Sequence, residues 1–194
     1  NAWKDWLNAF KAESYLAIGD DRRATRHISK IKDDYTKTYV NTKQLISKGL
    51  IDEARVSLSK YINSESASVQ LTLGEIEKAA GNIKLAKLFF SKAYDLANHW
   101  HVPALRLASV STLQGEFDSV KSYLEEAKER NASAVSLASG YAEFYSLRNN
   151  LAAATETLKF LTRNKEADFQ MLTAKGIVEL KKGESSNARD TFIE

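Results

Sequence analysis

His99 and His101 stand two residues apart in NHWH, residues 98–101, and they are the chain's clearest opening for metal or acid–base chemistry. A metal site needs three or four converging donors. The chain offers no cysteine and only one further histidine, His27, and no tight carboxylate cluster accompanies the pair, so a plain loop is expected. His27 belongs to DDRRATRHISKIK, residues 20–32, where Arg22, Arg26 and Lys30 fall on one helical stripe with Arg23 and His27 beside it. Such a stripe suits phosphate, but Asp20, Asp21, Asp33 and Asp34 flank it, where the dipole of a first turn favours acids. A solvated outer face is expected. The pairs Glu125–Glu126 and Asp33–Asp34 read the same way. No Ser–His–Asp set can be assembled from spacing, because a triad is defined by geometry, and there is no G-x-G-x-x-G or Walker-type loop. The expectation is a protein with no catalytic centre, metal or cofactor.

Two further features invite a ligand. Trp3 and Trp6, at i and i+3 in NAWKDWLNAF, make one aromatic edge, expected to pack on the first pair of helices rather than to receive another repeat. N-A-S at Asn131 matches a glycosylation sequon by pattern only, and a short polar turn explains it equally well.

Composition sets the class. With 43% apolar and 27% charged residues in 194, the chain can bury a sizeable core. Its 28 basic and 25 acidic side chains leave a formal charge of +3, too dilute a field for a phosphate backbone. Nucleic acid is not the expected partner. The absence of cysteine fits a reducing or an oxidising compartment, and no run of about 18 apolar residues spans a membrane. The chain opens Asn-Ala and stops at Glu194 inside a helical pattern, so it is expected to be a piece of a longer protein.

A single proline, no strand-like alternation and abundant Ala, Leu, Lys and Glu predict an all-α chain, with Pro103 in a first turn. Glycine supplies the punctuation. Gly19, Gly49, Gly81, Gly115, Asn149 and Gly183 are separated by 30, 32, 34, 34 and 34 residues. A recurring interval in the thirties marks a helical repeat array. Five residues after each anchor come Ala24, Ala54, Ala86, Val120, Ala154 and Ala188; seven before come Ala12, Thr42, Gly74, Ala108, Ala142 and Gly176. Small residues on facing helices let backbones approach. Nine after the anchors, Ile28, Leu58, Phe90, Leu124, Leu158 and Phe192 are expected to fill the space between repeats. Asp20, Asn82 and Asn150 follow their anchors as candidate caps. The predicted helices lie near 3–18 and 20–33, 35–48 and 51–62, 67–80 and 83–98, 102–114 and 117–130, 133–148 and 151–163, then 166–182 and 185–194.

In these anchors and small residues, LGEIE at Leu73 to Glu77 included, the chain resembles the tetratricopeptide repeat family over essentially all 194 residues. It departs from the pattern in lacking the first-helix tryptophan in later copies and the proline after the second helix. The resemblance implies one α-α superhelix of antiparallel pairs, with repeats at about 1–34, 35–64, 65–99, 100–132, 133–165 and a truncated 166–194. It also implies a non-enzymatic scaffold, part of a larger bacterial or envelope-associated assembly, whose first helices line a groove for a peptide or partner helix. Aligned on the anchors, Tyr39, Lys43, Ile46, Leu71, Glu75, Lys78, Leu105, Arg106, Ser109, Thr112, Glu143 and Ser146 project toward that groove. An open apolar end at Phe192 and Ile193 is expected to self-associate at high concentration.

The alternatives are a helical-repeat RNA binder, against which the unrelated residues Tyr39, Leu71, Leu105 and Ser139 at comparable places speak, and a purely architectural spacer or oligomerisation segment. One ligand type is excluded more firmly. Tetratricopeptide domains that hold an acidic chaperone C-terminus use a clamp of Lys, Asn and Arg donors; the matching places here carry Leu71 and Glu75, Arg106, then Ser136 and Gly140. Taken one register earlier they carry Ala9 and Glu13, Val40, then Ser68 and Thr72. A carboxylate clamp needs converging charged donors. Calorimetry with a peptide ending Glu-Glu-Val-Asp is expected to give no detectable heat; a micromolar dissociation constant abolished by Arg106→Ala would overturn that reading.

Overall fold

The computed structural model describes residues 2–163 and 169–193, and among them there are twelve α-helices and no strand. In chain order these are α1 Ala2–Ala17, α2 Asp21–Ile28, α3 Asp34–Ser47, α4 Ile51–Leu58 (continued by a 3₁₀ turn, Ser59–Tyr61), α5 Ala67–Ala79 and α6 Ile83–Leu96. Then follow α7 His101–Leu113, α8 Phe117–Glu129, α9 Ala134–Leu147, α10 Leu151–Arg163, α11 Phe169–Lys182 and α12 Ser185–Ile193. They form two compact units, Asn1–Leu96 and Ala97–Glu194. In the first, α1 packs on α2 and α3, α3 on α4 and α5, and α5 on α6; in the second, α7 packs on α8 and α9, α9 on α10 and α11, and α11 on α12. Within each unit, a helix thus meets its own partner and its neighbours in the next repeat.

The predicted anchors end the odd-numbered helices. Gly19, Gly49, Gly81, Gly115 and Gly183 have φ between 72° and 82°, and Asn149 has φ 60°. Asparagine tolerates the left-handed region better than other side chains, which is why Asn149 can stand where the other copies use glycine. After each anchor the next N–H donates back to the carbonyl five residues earlier, as in Asn82 to Glu77 at 2.8 Å and Asn150 to Tyr145 at 2.8 Å. Asp20 and Asn150 cap the helices that follow, accepting from the N–H groups of Arg23 and Ala153 at 3.0 and 3.2 Å. The Asn82 amide instead donates to Glu77. Asn131, φ 64°, closes α8 in the same left-handed way, so the sequon pattern lies in a helix-ending turn.

Two helices are shorter than expected. The segment predicted as 20–33 is helical only to Ile28, because Asp33 must leave the helix to cap α3, accepting from Thr36 N–H at 2.7 Å. Asp5 on α1 holds the turn open by accepting from the N–H groups of Lys32 and Asp33, at 2.9 and 3.2 Å. Lys30 therefore lies beyond the helix that was to carry it on the arginine stripe. In the segment predicted as 51–62, α4 likewise stops at Leu58. Short second helices account for the 30- and 32-residue anchor spacings. The predicted start of the eleventh helix, 166–168, lies outside the described residues.

Ala24, Ala54, Ala86, Val120, Ala154 and Ala188 are fully buried, and Ile28, Leu58, Phe90 and Leu124 are buried beside them. The Phe192 side chain lies outside the described residues, and Ile193 is exposed. In the first unit Ala54, Leu58, Val69, Leu73, Ile76 and Phe89 form one core; in the second Ala108, Val120, Leu124 and Phe144 form another. Gly74 is held against the ring of Phe90, where an added Cβ would collide with Cδ1 and Cε1, and a Cβ at Gly140 would stand 2.7 Å from Leu124 Cδ2. The large side chain nine residues past an anchor is thus seated on the backbone of a facing helix. Gly74→Ala and Ala86→Leu should each cost about 1–3 kcal/mol by overpacking, read as a lower thermal midpoint. An unchanged midpoint for Ala86→Leu would show that the repeat register is wrong.

Candidate functional site: an aromatic slot on the first-helix face

The apolar stripe at the start of the chain turns outward. Trp3, Trp6 and Phe10 are 63%, 67% and 60% exposed, so the expected packing of the two tryptophans on the first helix pair does not occur. At i, i+3 and i+7 these residues share one face of α1. The inner faces of α1 and its partner are satisfied instead by Ala9, Ala12, Ile28, Ile31 and Val40. Trp6 and Phe10 stack with centroids 5.9 Å apart and planes 15° from parallel.

These rings form one wall of a slot of about 360 Å³, lined by Trp6, Ala9, Phe10 and Glu13 of α1, Tyr35, Thr36 and Tyr39 of α3, and Ser66 and Ser68 at the start of α5. The tyrosines are fixed from behind. Tyr35 meets Tyr61 edge-on at 5.0 Å, while Tyr61 donates its hydroxyl to Asp34 at 3.3 Å and Lys60 pairs with the same carboxylate at 2.7 Å. Lys43 lies over the Tyr39 ring at 4.9 Å and pairs with Glu13 at 3.2 Å. Burial pushes the Lys43 ammonium down, but Tyr39 and Glu13 together outweigh it and hold the group above its ordinary value. Lys43 therefore stays charged.

The remaining predicted groove residues divide by exposure. Tyr39 and Ile46 are half-buried against the first core, and Leu71 is 7% exposed, which leaves it little surface for a partner. Glu75 and Lys78 on α5 are partly exposed. In the second unit Leu105, Arg106 and Ser109 of α7 and Glu143 of α9 are partly exposed, with Leu105 packed against the core there. Thr112 and Ser146 turn inward instead: both are buried and donate to carbonyls one turn back, Ala108 and Ala142, at 2.7 Å each. On α9, Tyr141 donates to Glu125 at 2.7 Å; burial and then that carboxylate push its phenol up to about 12. Phe10, Tyr35, Ser66 and Ser68 were not anticipated. The Trp3, Trp6, Phe10 spacing was the available signal.

His99 is exposed and His101 opens α7, and among the described residues no group of three or more His, Asp or Glu is placed to hold a metal. His27 Nδ1 lies 3.0 Å from Asn8 Oδ1, and the ring stacks on Tyr15 at 5.6 Å. Burial, then the fields of Lys30, Lys11 and Arg26, hold its pKa below the ordinary value. Beside it Arg22, Arg23 and Arg26 line an open hollow with Asp20, which pairs with Arg23 at 3.3 Å. No helix among the described residues is long and apolar enough to cross a membrane.

Helix pairs closed by a left-handed residue, with small residues where helices meet and a large side chain seated on a facing helix, define the tetratricopeptide-repeat fold, and this chain has it. Among solved structures it is similar to a thermophilic tetratricopeptide protein of Thermus thermophilus, with TM-score 0.71, 15% identity, and 95% of this chain and 98% of that one covered. It is also similar to PilW, a widely conserved type IV pilus biogenesis factor, with TM-score 0.68, 19% identity, and 96% and 90% covered. A third match, in an APC/C hetero-tetramer, has TM-score 0.65 and 17% identity, covering 97% of this chain and 35% of that one. No protein-family model and no curated protein matches the chain.

A buried carboxylate ties repeats within the first unit. Arg55 on α4 donates to both carboxylate oxygens of Glu77 on α5, at 2.8 and 3.2 Å, and Asn82 donates to the same group at 2.7 Å. Burial pushes the Glu77 carboxyl up, yet these bonds together hold it below its ordinary 4.5. A depressed carboxylate stabilises the fold above its unfolded pKa, and that stability is lost as pH falls through the folded value. Glu77→Gln should therefore lower the thermal midpoint at pH 7, with the gap from the parent closing below pH 4.5. A gap that stays constant down to about pH 3 would count against the pair.

Proposed function

We propose that the chain is a non-enzymatic protein–protein interaction scaffold that receives a peptide or partner helix on its first-helix faces. The observation that carries this reading is the slot beside α1, α3 and α5, with exposed, mutually stacked Trp6 and Phe10 on one wall and half-buried, braced Tyr35 and Tyr39 on the other. Ordered aromatic surface loses little conformational entropy on binding, which is the economy that interaction surfaces exploit. Two similar structures belong to proteins of assemblies, the pilus biogenesis factor and the APC/C hetero-tetramer, and a scaffold role within a larger assembly follows that precedent. In the first unit Tyr39, Lys43, Glu75 and Lys78 supply contacts of both signs on first helices; in the second unit, taken by itself, Leu105, Arg106, Ser109 and Glu143 do the same. The function needs no bond-making chemistry.

Photo-crosslinking in the native cell tests it. A crosslinker at Tyr39 in the first unit, or at Arg106 in the second, should capture a discrete partner, while one at the exposed second-helix positions Lys121 and Lys159 should not. Equal capture from both sets would remove the first-helix faces as the binding surface.

A further inference from the structure

We propose that the slot walled by Trp6, Phe10, Tyr35 and Tyr39 docks an uncharged, proline-bearing extended segment of a partner protein. The inference rests on the scaffold reading above and gives it an occupant. Four observations select this chemistry over others.

The first is the walls. Two parallel rings, Trp6 and Phe10, face solvent on one side, and two tyrosines braced by Tyr61 and Lys43 stand on the other. Flat apolar rings present the surface on which pyrrolidine rings stack, and aromatic-lined grooves are the general solution for polyproline segments. The second is the floor. Ala9, Thr36, Ser66 and Ser68 are small; the Thr36 hydroxyl is given to Asp33, and the two serines carry hydroxyls that can bond the free carbonyls of a helix without internal hydrogen bonds. The third is size. A slot of 360 Å³ holds a few side chains, whereas an α-helix with its side chains is about 10–12 Å across.

The fourth is charge. Among the described residues Glu13 is the one charged side chain lining the slot, and Lys43 already holds it. The nearby acids are also engaged: Asp34 by Lys60 and Tyr61, Asp5 by the N–H groups of Lys32 and Asp33. A basic segment would compete with these bonds for its carboxylate, and an acidic one would have to break the Lys43–Glu13 pair. An uncharged segment leaves every pair intact.

The test uses tryptophan emission, since Trp6 is in the slot and two-thirds exposed. The probe is a proline-hexamer peptide flanked by glycines, compared with lysine-rich, glutamate-rich and leucine-rich helix-forming peptides of equal length. The proline peptide should shift the emission to shorter wavelength with saturation. Phe10→Ala, at an exposed position, should weaken binding about tenfold or more without moving the thermal midpoint, and Trp6→Ala should do the same when binding is followed by calorimetry. Lys121→Ala, at an exposed second-helix position, should bind as the parent does. No saturable change at millimolar peptide, equal binding by Phe10→Ala, or a charged peptide binding as tightly would overturn the proposal. Preference for the helix-forming peptide, or a concentration-dependent dimer abolished by Trp6→Ala, would also overturn it by assigning the slot to another occupant. Those outcomes leave first-helix crosslinking intact, so the two readings fail separately.

Discussion

Everything in this chain hangs on a repeated hydrogen bond across a left-handed residue. At all six anchors the N–H after the turn reaches the carbonyl five residues back, at 2.8 to 2.9 Å, and the chain reverses without a loop to spare. The bond satisfies a carbonyl that the helix end would orphan. Because the reversal is so tight, the second helix begins beside the first. The residue five positions on must then be small, and alanine or valine stands there in all six copies. Close approach of the paired helices next fixes where the larger plugs go, and Phe90 on Gly74 is the tightest case.

This dependence explains what could be read from the residues alone. Anchors, small contacts and plugs are constraints on backbone conformation and volume, and those restrict residue type at a position. Asn149 could be recognised as an anchor because few side chains enter the left-handed region. Helix lengths were less legible. The early end of α2 follows from Asp33 capping α3 and Asp5 bonding the turn from α1, a contact between residues 27 and 28 apart. No local pattern announces it.

The site was harder to read than the fold, because exposure is a property of the packed molecule. Trp3 and Trp6 carry the strongest apolar character at the start of the chain, and burial is the ordinary fate of such residues. Ala9 and Ala12 occupy the contact instead, which turns the tryptophans out. Thr112 and Ser146 err in the other direction: polar residues placed in the groove bury themselves by bonding their own helix. Leu71 and Leu105 were assigned outward from register alone, and packing withdraws much of both.

The eight-residue α2 and α4 have a consequence for how the molecule breathes. A repeat is held by its own pair and by its neighbours, so the length of its second helix sets how much surface it contributes to either. α6 and α8, at 14 and 13 residues, cover far more. Local opening is cheapest where least is buried, so the amides of α2 and α4 should trade hydrogen for deuterium before those of α6. Arg55 on α4 and its bonds to Glu77 on α5 act against this tendency, making the opening of the second repeat conditional on the third. The aromatic slot is therefore carried by the part of the chain with the thinnest second layer, and an occupant that bridges α1, α3 and α5 would close that region to exchange.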